Sequence, residues 1–431
     1  MTQTINQKNN GFYNTNSKQR VHIIGGGTIA PVRTHLALTA EAYGTTARQL
    51  QEICDNYSDQ YDVNMHLTKM ANMGKGNLRT NDDISQLVNG LVEDDLTKII
   101  FFNPALVDYN GSVLDSNGDR TVSGRYAERL KTREDDSVYM HLTPSQKIIS
   151  DIRKERKDIF VVGFKTTSGA SEDEQYIAGL NLLKGSSVNL VLANDVKERR
   201  NMIITPEEAR YHITTDRLEA LTNLVDMAYH RSQLNFTRST VLDGSPVDWN
   251  SDLVSPSLRD VVNYCIDNGA YKPFRGKTVG HFASKIGDNH FLSSKRKSNF
   301  NNLKTEGLVE VIAQDDDTVL AFGAKPSVGG QSQRIIFREH PEYDSIVHFH
   351  CPMKEGSKVP VREQRPYECG SHECGQNTSD GLKQFGNLSA VYLDEHGPNI
   401  VFNSKINPNE VIKFIDENFD LSAKTGGNVP L

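Results

Sequence analysis

Residues 20–33 read RVHIIGGGTIAPVR, an apolar run from Val21 to Ile24 that breaks on Gly25, Gly26 and Gly27. Such a run closed by glycines is the pattern of a buried strand feeding a tight turn. The alternation then repeats. TTARQLQEICDNY is helical in period, TKIIFFNPA reads as a strand, SQKIISDIRKE as a helix, DIFVVGFKT as a strand, EDEQYIAGLNLLKG as a helix and VNLVLAND as a strand. This order predicts an α/β fold with an open, largely parallel sheet. TPEEARYHITTDRLEALTNLVDMAYHRSQ reads as a closing helical region, with Thr205 as N-cap and Pro206 at the first helical position.

A chain of 431 residues, 37% apolar and 24% charged, suits about two to three domains. Residues 1–19 are mostly Asn, Gln, Thr and Ser and are expected to form a disordered tail. Domain one is then expected at 20–232. The aperiodic, Ser-, Asp- and Pro-containing stretch 233–256 reads as a linker, 257–417 as a second α/β domain, and 418–431 as a tail. No secretory leader is visible, and no stretch reaches the roughly 18 apolar residues of a membrane span. Five cysteines are too few for a disulfide framework, so a cytoplasmic, reducing setting is expected. A net charge of −7 argues against general nucleic-acid binding and favours small-molecule partners, with no membrane partner.

The glycine turn fits G-x-G-x-x-A loosely, through Gly25, Gly27 and Ala30, but PVR follows where a dinucleotide-binding helix should begin. A phosphate cradle and a plain tight turn both stand on these residues alone. Six stretches in order carry more: GGGTIAPVR, NPALVDYNG, ERLKT, LTPSQKII, VVGFKT and VLANDV. Together they resemble the phosphopantothenate–cysteine ligase family over about residues 20–228. The resemblance implies a Rossmann-like domain that binds CTP or ATP with magnesium, activates a carboxylate as an acyl-nucleotide and passes the acyl group to an amine. It places phosphate at Gly26, Gly27 and Thr28, the nucleotide near Ala193 and Asn194, and Lys131 on a mobile catalytic loop. A lysine there offsets charge developing at phosphorus; the alternative is a solvated charged loop. The chain departs from the family at Ala37, where an asparagine is expected.

In the C-terminal third, HPEYDSIVHFHCPMK holds His348 and His350. On one strand they share a face about 7 Å apart, as metal ligands or as two half-buried core histidines. Seven of the thirteen histidines fall between 281 and 396, one being His396 in VYLDEHGPNIVF. The H-x-H pair and the later His-Gly, with GHFASKIGDNHFLSS and KPS, resemble the class II aldolase and adducin family over about residues 257–415. By that resemblance His348, His350 and His396 bind zinc or another divalent ion, which acts as Lewis acid on an enediolate. The family's acid/base glutamate is replaced by Gly329.

RPYECGSHECGQNTSDG offers Glu368 and Glu373 as replacement acid/base groups. The same loop offers Cys369, His372 and Cys374 for a second zinc site with Cys351, or is inert. Lys295, Arg296 and Lys297 read as a substrate-anion site or a solvated turn. The combined expectation is a bifunctional, homo-oligomeric enzyme: a ligase-like half, and a metal-dependent lyase, epimerase or dehydratase acting on a small phosphorylated or carboxylated metabolite. The rival is a noncatalytic metabolite- or nucleotide-binding or regulatory protein.

Overall fold

The structure, a computed structural model, describes residues 17–131, 137–315, 317–327, 330–427 and 429. Most of the expected N-terminal tail, and Gly329, lie outside them. The chain forms two compact units that divide between Val161 and Val162.

The first unit contains β1 (Gln19–Gly27), β2 (Ile29–Arg33), β3 (Leu36–Thr39), α1 (Thr45–Cys54), β4 (Tyr61–Leu67), α2 (Asn81–Glu93), β5 (Thr97–Ala105), β6 (Tyr109–Val113), β7 (Met140–Pro144) and α3 (Ile149–Glu155). Parallel strands β4 and β5 flank β1, with Val21 opposite both Val63 and Ile99. Val21, Ile23, Ile24 and Ile99 to Phe101 are fully buried, the continuous apolar run of a parallel strand covered on both faces. A capping box of Thr80 and Asp83 starts α2. The three glycines expected to form a turn instead close β1, where they pair with Asn103, Pro104 and Ala105 of β5; only Thr28 separates them from β2, which pairs with β3 as an antiparallel ribbon.

The second unit begins within β8 (Phe160–Thr167) and continues with α4 (Glu172–Ser186), β9 (Leu190–Asp195), β10 (Asn201–Ile204), β11 (Arg210–Thr214) and α5 (Arg217–Ser232). β8 and β9 are parallel, whereas β10 and β11 form an antiparallel hairpin on β9. This corrects the expected helix start. Thr205 is no N-cap: it closes a turn, its N–H donating to Ala209 O at 3.1 Å while Glu208 N donates to Thr205 O at 2.9 Å. The helix begins at Arg217, where the Asp216 carboxylate accepts from Leu218 N and Glu219 N at 2.8 and 3.1 Å.

The remaining elements are β12 (Arg238–Leu242), α6 (Pro256–Asp267), β13 (Pro273–Phe274), β14 (Lys277–Thr278), β15 (His281–Gly287), β16 (His290–Ser293), α7 (Leu303–Glu306), β17 (Val309–Ala313), β18 (Thr318–Phe322), α8 (Gly330–Glu339), β19 (Ser345–His348), β20 (Val361–Arg362), α9 (His372–Gly381), β21 (Lys383–Phe385), β22 (Leu388–Leu393), β23 (Gly397–Phe402) and α10 (Pro408–Asn418). Ten of these strands build one sheet in the order β12-β18-β17-β16-β15-β19-β23-β22-β20, with β21 on β22, while β13 and β14 pair with each other. β12 lies in the stretch read as a linker; it pairs in parallel with β18. One core contains Trp249, Phe282, Val347, Phe349, Phe402 and Phe419. Another contains Ala283, Phe291, Ile336, Phe337, Ile346 and Val401. Alternate residues of β15 and β19 thus feed different cores. Phe419 and Leu421, in the stretch read as a tail, are buried. Among the described residues no helix is long and apolar enough to cross a membrane.

Candidate metal centre

β19 ends on His348, on the same strand face as Ile346. His350 follows just beyond the strand, after Phe349 has entered the aromatic core. His396 stands in the β22–β23 turn, where its N–H donates to Leu393 O at 3.0 Å. Gly397 makes that turn possible. Its φ is +142°, and a Cβ there would lie 2.1 Å from Phe349 O and 3.3 Å from His350 Cα, so a side chain would push the turn and its histidine away.

The three rings converge. Their centroids are 4.6 to 5.0 Å apart, and one nitrogen from each falls in a group spanning no more than 4.8 Å. The relative exposures of His348, His350 and His396 are 1%, 5% and 2%. His348 Nδ1 lies 2.7 Å from Pro398 O. A carbonyl only accepts, so the proton is on Nδ1 and the Nε2 lone pair is free to face His396 Nε2, 3.2 Å away. Burial lowers the pKa of His348 to about 4 and holds those of His350 and His396 well below the usual histidine value. All three rings are therefore neutral near pH 7. His350 Nδ1 and His396 Nδ1 are buried without a hydrogen-bond partner. Neutral, buried imidazoles with unsatisfied nitrogens suit a divalent ion that accepts nitrogen ligands. Among the described residues this is the one such group, so Cys369, His372 and Cys374 do not assemble a second.

The other candidates are distributed as follows. Glu373, in the first turn of α9, accepts from Asn235 N at 3.1 Å and Asn235 Nδ2 at 2.8 Å. Glu368 accepts from Asn189 Nδ2 at 3.3 Å. Lys295 lies 3.6 Å from Glu306, Arg296 N donates to Lys325 O at 2.9 Å, and Lys297 adopts a left-handed φ of 60°.

In the first unit, Gly27 N donates to Ala42 O at 2.7 Å and Thr28 N to Ala105 O at 3.0 Å, so these two amides are satisfied within the protein. The Thr28 hydroxyl bonds Asn81 Oδ1 at 2.7 Å. Beside Gly27, Lys69 and Arg79 line a recess of about 310 Å³. Lys131 and Ala37 are exposed. Ala193 and Asn194 lie on β9 of the second unit, where Ala193 O accepts from Gln175 Nε2 at 3.1 Å.

Two side chains beside the triad were missed in the sequence. His281, opposite His348 across β15 and β19, has its ring centroid 4.8 Å from that of His348. Gln333, on α8, is fully buried with Nε2 2.8 Å from His281 Nδ1. The clustering of histidines after position 280 was the available signal for the first; nothing in the sequence marked the second.

No family model matches the chain, and no curated protein matches it. Solved structures do. The DNA/pantothenate metabolism flavoprotein from Streptococcus pneumoniae is 18% identical, covering 49% of this chain and 100% of its own, with a TM-score of 0.41. YgbL from Escherichia coli, a putative aldolase/epimerase/decarboxylase, is 19% identical over 37% of this chain and 82% of its own, with a TM-score of 0.29. An L-fuculose 1-phosphate aldolase is 15% identical over 38% and 85%, also with a TM-score of 0.29. The neighbours are thus of the two kinds that the sequence resembles, ligase-like and class II aldolase-like.

Proposed function

We propose that His348, His350 and His396 hold a divalent cation, zinc foremost, in a module that performs a lyase, epimerase or dehydratase step on a small phosphorylated or carboxylated metabolite. The supporting observation is the meeting of three buried imidazole nitrogens within 4.8 Å. When bound, such an ion supplies Lewis acidity to a carbon skeleton bearing neighbouring oxygens. The chain's own contribution is positional: Pro398 O fixes the His348 tautomer, the Gly397 turn sets His396, and burial keeps the rings neutral. A nucleotide-binding role for the ligase-like region accompanies this reading, as does assembly into a homo-oligomer.

Metal analysis of the purified protein tests the centre. One divalent ion per chain is expected, with most of it lost in each of His348→Ala, His350→Ala and His396→Ala while the first unit stays folded. Wild-type protein with no affinity for zinc, or variants that keep the ion, would sink the reading. A noncatalytic metal-holding module is the second reading, favoured by the bonds that tie Glu373 to Asn235. Turnover by the metal-loaded protein on sugar phosphates and hydroxy acids separates the two.

A further inference from the structure

The pairing of β15 with β19 sets His281 directly opposite His348. Neighbouring residues fix which way both point. Phe282 and Val347 belong to one core, Ala283 and Ile346 to the other, so His281 and His348 share the face of Ala283 and Ile346. Their rings lie 4.8 Å apart at 32°.

Gln333 determines the His281 tautomer. Its Nε2 lies 2.8 Å from His281 Nδ1, and its Oε1 is buried without a partner. The opposite amide orientation would leave buried N–H groups unpaired, a rarer and costlier omission than a carbonyl lacking one bond. Gln333 therefore donates to Nδ1, and His281 carries its proton on Nε2. That N–H has no partner among the described residues. The two neighbouring histidines thus have opposite tautomers: His348 presents a lone pair on Nε2, and His281 presents a donor. His281 stands outside the group of three nitrogens, and a protonated Nε2 is no ligand.

We propose that His281, locked by Gln333, is the hydrogen-bond donor of this site, recognising an anionic oxygen of a small carboxylate- or enolate-like ligand that enters the histidine triad. The inference rests on the metal-centre reading above. Donors already oriented in a buried site stabilise such an oxygen without reorganising.

The test uses full-length protein loaded with cobalt(II) and titrated with acetohydroxamate, a small oxygen-donor chelator, followed by visible absorption. His281→Phe keeps an aromatic ring and loses the N–H. It should retain cobalt but bind hydroxamate about tenfold or more weakly, the span of a hydrogen bond to a charged group. His281→Gln, which restores an N–H, should recover most of the affinity, a rescue that a packing role would not give. Gln333→Leu, which releases the tautomer, should weaken binding to an intermediate degree and carries the test if His281→Phe does not fold. Unchanged hydroxamate affinity in His281→Phe or Gln333→Leu overturns the proposal, as does loss of cobalt from His281→Phe, which would make His281 a ligand. Wild-type protein that takes cobalt but no hydroxamate also overturns it, leaving the metal centre standing; wild-type protein that takes no cobalt removes both.

Discussion

A histidine facing a carbonyl has its tautomer decided for it, and a histidine buried beside another histidine has its charge decided for it. His22 on β1 is the second case. Its Nδ1 lies 3.1 Å from His66 Nε2, and burial first, then the neighbouring ring, lower its pKa to about 4. An unfolded histidine titrates near 6.5, so between these values the unfolded chain binds a proton that the folded chain refuses. Stability should therefore rise with pH across this window and fall on acidification, by about 2 kcal/mol at pH 5 from this group. Denaturant midpoints for the first unit at pH 7.5 and pH 5 would read it, and His22→Asn should flatten the difference. Equal midpoints for the wild type would count against it. At this scale the sequence shows the triad better than its surroundings. His348 and His350 stand out because alternation puts them on one face, while the bond of His281 to a glutamine 52 positions later depends on how α8 packs on β15.

At the scale of elements, most strands and helices were legible because burial on one face or both leaves a period in the chain. The β10–β11 hairpin was not. TPEEA carries an N-cap residue, a proline and two acids, the local signals of a helix start, yet β10 pairs with β9 and Ile203 sits opposite Tyr211. Pairing with a distant strand overrode a local preference. β12 was hidden for a similar reason, since its partner β18 lies some 80 positions on. The turn between β10 and β11 also supplies Glu207, whose carboxylate meets the Arg231 guanidinium of α5 at 2.6 Å, with neither side chain exposed. Arg231 also donates to Arg365 O at 3.0 and 2.9 Å. Removing one partner strands a buried charge, so Glu207→Ala should destabilise the second unit by roughly 3–5 kcal/mol. A loss well under 1 kcal/mol by chemical denaturation would contradict this. Glu207→Gln with Arg231→Met should recover much of the loss, because replacing both charges removes the stranded one.

For the whole molecule, the proposed nucleotide should be readable in stability. A ligand that binds the folded chain alone stabilises it by mass action, about 2.7 kcal/mol at a hundredfold excess over Kd. CTP or ATP with magnesium at millimolar concentration should then raise the melting temperature. The amides of Gly27 and Thr28 already donate within the chain, so the Lys69 and Arg79 recess is the place to probe: Lys69→Ala with Arg79→Ala should abolish the shift. No shift in the wild type with any nucleotide would remove that role and leave the fold intact. The alternation along β19 has a consequence for how this protein can diverge. Substitution can retune either face of that strand one position at a time. Gain or loss of a single residue between Ser345 and His348 exchanges the faces wholesale, sending Val347 among the histidines and His348 into the aromatic core. Descendants of this sequence should therefore vary in length in the loop at 353–360, while β19 keeps a constant residue count through any amount of replacement.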